Sequence, residues 1–161
     1  MRLIALALCV LAAAFAPVPT QANGDVPLPF HGVFTREGQA VFTPPATLHE
    51  YGTATGTATR LGLFTAASVD VIDTVTSTGT GTFDLTAANQ DQLFTTTTGQ
   101  QDEFIPPNIA RATLHATIVG GTGRFGAATG AFTIHITNEI DFASATSTGF
   151  GWFEGHINLN K

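Results

Sequence analysis

Apolar and polar residues alternate with a period of two along much of this chain. That is the spacing of strands whose successive side chains face opposite sides of a sheet. Ala112, Leu114, Ala116 and Ile118 alternate with Arg111, Thr113, His115 and Thr117. Phe132, Ile134 and Ile136 alternate with Ala131, Thr133, His135 and Thr137, and Phe83 and Leu85 with Thr82, Asp84 and Thr86. Near the end, Phe153, Ile157 and Leu159 share a face with Gly151 and Gly155, leaving Phe150, Trp152, Glu154 and His156 opposite. Ala88-Asn89-Gln90-Asp91 reads as a hairpin turn between strands at 80–87 and 92–97. No stretch of about 12 residues shows a helical period.

Composition reinforces this reading. Threonine occurs 27 times and glycine 17, with little Leu, Lys or Glu beyond the first segment. Branched side chains fit a pleated surface better than a helix. Prolines act as punctuation: Pro44-Pro45 and Pro106-Pro107 mark two loops, and 46–105 and 108–161 are proline-free, as paired strands require. The pattern predicts an all-β chain of about seven to nine antiparallel strands in one domain. Glycines inside the strands (Gly52, Gly56, Gly79, Gly81, Gly149, Gly151, Gly155) favour a closed barrel over a sandwich, because barrel strands coil and bend sharply.

Residues 1–22 read as a cleaved signal peptide. Met1-Arg2 is a short positive start, Leu3 to Ala16 is apolar, and Thr20-Gln21-Ala22 places small residues before a cut at Asn23. The mature domain is then 23–161, exported to the periplasm or secreted, with no membrane insertion. Cys9, the only cysteine, leaves with the signal, so neither a disulfide nor thiol chemistry is expected. The mature chain carries five basic residues against twelve acidic ones, and the bases never cluster. Nucleic acid is a poor partner for such a surface.

Several motifs invite chemistry. Gly121-Thr122-Gly123-Arg124-Phe125-Gly126 has the form G-x-G-x-x-G, with Asp141 downstream, but a dinucleotide turn must open a helix. Here the alternation at 131–137 predicts a strand, so the run reads as a tight turn with Arg124 exposed and Phe125 tucked under a barrel end. His31, His49, His115, His135 and His156 lack the close spacing of zinc ligands, and no metal site or cofactor is expected. The carboxylate pairs Asp70 with Asp73, Asp102-Glu103 and Glu139 with Asp141 read as solvated turn or strand-end residues. The candidate ligand-binding group is Trp152, Glu154 and His156, which share a face of the last strand and could serve a ligand if that face lined a barrel mouth. The opposing expectation is that Phe153 and Ile157 point inward and the trio outward. Tyr51, Glu50 and Arg60 form a weaker group.

Ile118-Val119-Gly120-Gly121-Thr122-Gly123-Arg124-Phe125, followed by Ala127-Ala128-Thr129-Gly130, resembles the glycine-rich hairpin of the allene oxide cyclase and dirigent barrel proteins. Ala58-Thr59-Arg60-Leu61-Gly62-Leu63-Phe64-Thr65 and the segment from Leu85 to Leu93 look like parts of small exported bacterial proteins that carry the same hairpin. The resemblance implies an eight-stranded calycin-like barrel with an apolar cavity, often trimeric in the plant members, which steer cyclisation of an epoxide or coupling of phenoxy radicals. Outside the hairpin, the catalytic residues of those proteins find no residue-by-residue counterpart, and Tyr51 is the only tyrosine. The resemblance therefore carries the fold and not the activity. Three functions follow as expectations: a non-enzymatic barrel binding a small apolar ligand or a surface partner, a cofactor-free isomerase or cyclase, and a structural or matrix component. The first demands a cavity of about 300 Å³ or more; the second also needs polar side chains inside it with displaced pKa values.

Overall fold

Burying one face of every strand while leaving the other in water can be satisfied by rolling the sheet until its edges meet. The computed structural model, which describes residues 26–159, does this with eight antiparallel strands. They are β1 (Leu28–Thr43), β2 (Thr47–Ala58), β3 (Gly62–Asp73), β4 (Thr78–Ala87), β5 (Gln92–Ile105), β6 (Ile109–Gly121), β7 (Thr129–Asp141) and β8 (Thr146–Asn158). Each pairs with its neighbours in sequence, and β1 pairs with β8 from Leu28↔Ile157 to Gln39↔Thr146 to close the ring. The expected all-β barrel is therefore observed, with the turn at 88–91 joining β4 to β5 and the two diproline loops lying in the β1–β2 and β5–β6 connections. The export segment 1–22 and Cys9 lie outside the described residues.

The glycine-rich run forms the β6–β7 connection, a single 3-10 turn at Gly123–Phe125 that leads into β7 and not into a helix. Gly120, Gly123 and Gly130 hold φ values of 128°, 53° and 138°, a region that side chains disfavour. At Gly123 a Cβ would also strike the Asp91 carboxylate. This conformation drives Phe125, which is 0% exposed, into the barrel end as a plug, alongside Leu61 and Ala128. Arg124 stays outside, its guanidinium 4.8 Å from the Phe125 ring centroid and 3.7 Å from Asp91.

Above the plug lies a phenylalanine core. Phe153 meets Phe30, Phe34, Phe64 and Phe132 at centroid distances of 4.9, 6.5, 6.2 and 5.1 Å. One irregularity crosses this layer. The β4–β5 ladder skips from Gly81↔Thr97 to Leu85↔Leu93, and the Thr95 side chain fills the gap. Phe83 N–H donates to Thr95 Oγ1 (3.2 Å), whose hydroxyl donates to Phe83 C=O (2.8 Å), while Thr95 N–H donates to Asp84 Oδ1 (2.9 Å). Thr95→Val keeps the shape but strands two buried backbone groups. It should cost about 2 kcal/mol in urea unfolding; a change below about 0.5 kcal/mol would show that the gap is closed by other means.

Candidate functional site

The inner face of the barrel changes character along its axis. Toward the plugged end, the inward residues are Phe30, Phe34, Phe64, Leu85, Phe132 and Phe153. Toward the other end, where the β1–β2, β3–β4, β5–β6 and β7–β8 connections lie, they include the small Ala40, Gly79, Gly99 and Ala112. Side chains this small cannot fill an eight-stranded barrel. They leave a cavity of about 440 Å³, floored by Phe83 and Ile136 and bordered at its mouth by Phe42 and Phe142.

The cavity has two unlike walls. β6 and β7 contribute Ala110, Ala112, Leu114, Ile136 and Ile140, an apolar surface interrupted by Asn138. Opposite them, Arg36 from β1, Glu50 from β2, Ser68 and Asp70 from β3 and Thr97 from β5 form a polar one. Sheet register assembles it: Glu50 stands opposite Asp70, Asp70 opposite Gly81, and Gly81 opposite Thr97. The Arg36 guanidinium donates to Glu50 Oε1 at 2.9 Å, with the two side chains only 6% and 15% exposed. Ser147 Oγ donates to the same Glu50 oxygen at 3.4 Å, and Thr97 Oγ1 donates to Asp70 Oδ1 at 3.4 Å. Glycine makes room for the charged groups. A Cβ on Gly52 would lie 2.7 Å from an Arg36 nitrogen, and one on Gly81 would collide with Asp70 Oδ1.

Burial raises the Asp70 carboxyl from its ordinary value of 3.8 to about 6, with the nearby Glu50 charge adding to the effect. Arg36 and the hydroxyls of Thr97 and Ser68 oppose that shift without cancelling it. Desolvation disfavours the charged form, and a second carboxylate does the same. Asp73, three residues on, is the reverse case. Its Oδ1 accepts from the backbone N–H groups of Thr76 and Val75, which hold its carboxyl below the usual range. Asp141 in the β7–β8 turn is also held below the usual range, by the Ser144 hydroxyl first and then by the backbone N–H groups of Ala143 and Ser144.

Trp152, Glu154 and His156 share a face, and that face is the outer wall of β8. Phe153, 1% exposed, is the hub of the core, and its burial forces the flanking positions outward. Trp152, 43% exposed, stacks on His135 at 4.1 Å instead of entering the cavity. Within the weaker group, Glu50 points inside while Tyr51 and Arg60 are exposed. Asp70 is not a solvated turn residue like Asp73, but a wall residue of the cavity. The interior is likewise not uniformly apolar. The signal that could have found this wall is phase. Arg36 falls in register with Phe30 and Phe34, Ser68 and Asp70 with Phe64, Ala66 and Ile72, and Glu50 with Leu48 and Ala54. Charges in the apolar phase of a barrel strand point inward.

The closed eight-stranded barrel has the fold of solved dirigent proteins. The solved structure of the pterocarpan synthase dirigent protein GePTS1 superposes with a TM-score of 0.54, at 13% identity, over 94% of this chain and 100% of that one. The pterocarpan synthase dirigent protein PsPTS1 is also similar, with a TM-score of 0.49 at 12% identity, over 82% of this chain and 96% of that one. No family model and no curated protein matches the sequence.

Proposed function

We propose that this barrel is a receptor for a small, largely apolar molecule, held inside the open end with its polar end against Arg36, Glu50 and Asp70. The observation that carries this reading is the 440 Å³ cavity itself, apolar on one side and charged on the other. It exceeds the roughly 300 Å³ that a binding barrel needs at least, and a few convergent polar groups in an otherwise apolar hollow are what fix a ligand's orientation. The same proposal puts this activity outside the cytoplasm, a reading supported by the short positive start and apolar run within residues 1–22.

The neutral dye N-phenylnaphthylamine should bind in the hollow with enhanced fluorescence. Ala112→Trp puts an indole into the cavity and should weaken that binding by at least about tenfold, or 1.4 kcal/mol, with the β-type circular dichroism unchanged. Equal binding by the parent and the folded variant would place the dye elsewhere and defeat the proposal.

One observation favours a second reading, a cofactor-free isomerase or cyclase. A carboxyl raised to about 6, facing a cavity and flanked by a guanidinium, is tuned to give and take a proton near neutrality. The barrel shares its fold with a pterocarpan synthase dirigent protein.

A further inference from the structure

Which polar end the cavity accepts depends on how its charges are already spent. Among the described residues Arg36 is the only arginine or lysine on the wall, and its guanidinium is committed to Glu50 at 2.9 Å. Asp70 then stands as a second carboxylate that this guanidinium does not balance. From the elements around it, Asp70 is faced by Arg36 on β1, Glu50 on β2 and Thr97 on β5, with Ser68 on its own strand. β4 presents only Gly81. A carboxylate removed from bulk water without a counter-charge is costly, and a cation beside it relieves that cost.

The mouth carries the same sign. Around it lie Asp73, Asp102, Glu139 and Asp141; of the basic residues at this end among the described residues, Arg111 is tied to Glu103 at 2.9 Å and His49 stands near the start of β2. Such a rim draws cations toward the opening and repels anions. At its lip stand Phe42 and Phe142, the latter 6.3 Å from the Phe104 ring. An entering molecule thus meets apolar rings within a negative field.

We propose that the cavity selects an apolar or aromatic skeleton bearing one protonated amine, its ammonium seated between Asp70 and Glu50. Carboxylates and phosphates of the same size are rejected, even though an arginine lines the site. The selection rests on the binding role proposed above and specifies its ligand class. Acid should release the ligand. Once Asp70 takes up its own proton, below about 6, the wall is neutral overall and the ammonium loses its partner. No covalent step is involved.

The test compares naphthylethylamine, naphthylethanol and naphthylpropionate, one hydrocarbon with three heads, by fluorescence anisotropy with the full chain. Near neutral pH the amine should bind at least about tenfold more tightly than the alcohol, with the carboxylate weakest. That advantage should shrink to within about twofold near pH 4, and Asp70→Asn should abolish it near neutrality. Binding of the alcohol or the carboxylate as tightly as the amine would overturn the selection while leaving the cavity a receptor. Failure of all three to bind would remove the receptor reading, and the amine selection with it.

Discussion

Replacing Arg36 by methionine lowers the unfolding free energy by about 3–5 kcal/mol near neutral pH, the usual result of removing one partner of a buried ion pair. Methionine fills most of the stem volume, so little of the loss comes from packing. The loss arises because Glu50, only 15% exposed, is left charged and directly across the sheet from Asp70. Two carboxylates without the guanidinium repel each other, and protonating either relieves the strain. The defect should therefore shrink as the pH falls toward about 4, where carboxyl groups take up protons. Urea denaturation at the two pH values measures both parts. The double variant Arg36→Met with Glu50→Leu should recover most of the stability, since an apolar pair can replace a buried ionic one at little net cost. A single variant within about 1 kcal/mol of the parent near neutrality would mean that water reaches Glu50 freely.

Replacing Asp70 by asparagine has the opposite sign. The folded chain holds this carboxyl at about 6, above its ordinary 3.8, so it binds a proton more tightly than the unfolded chain does. Stability from this group is therefore present in acid and is lost as the pH rises from about 4 to about 6. Above that window the ionised group costs about 2 kcal/mol, after allowing for its residual contact with water. Asp70→Asn removes that cost. The variant should melt several degrees higher than the parent near neutral pH and at the same temperature near pH 4, measured by thermal unfolding across that range. A variant that melts lower at every pH would show that the carboxylate is a structural acceptor. Retaining a destabilising ionised group at the wall of a cavity is the trade expected of a working site.

The strands were legible because their cause is local. Alternation at 112–118 and 131–137 reports directly which side chains face the core, and glycine at 120, 123 and 130 reports a turn that needs positive φ. Phe125 could be placed beneath the barrel end from the turn alone. The candidate site was not legible in the same way. Trp152, Glu154 and His156 were drawn together by sharing a strand face, but the tight packing of Phe153 sent that face outward. Asp70 and Asp73 looked alike as neighbouring acids. Yet one side chain ends inside the barrel and the other caps a turn, because three residues of separation in a strand reverse the face.

By itself the sequence determined the secondary structure, the tight turn and the inward or outward side of most positions, since each depends on residues within one strand or one turn. Only the closed sheet decided where the chemistry sits. Arg36, Glu50, Asp70 and Thr97 come from four strands and meet through cross-strand register, a property of pairing between segments distant in the chain. The hollow beside them likewise belongs to no single strand. It exists because small residues on several strands arrive at one level of the barrel, where the ring is wider than their side chains can fill.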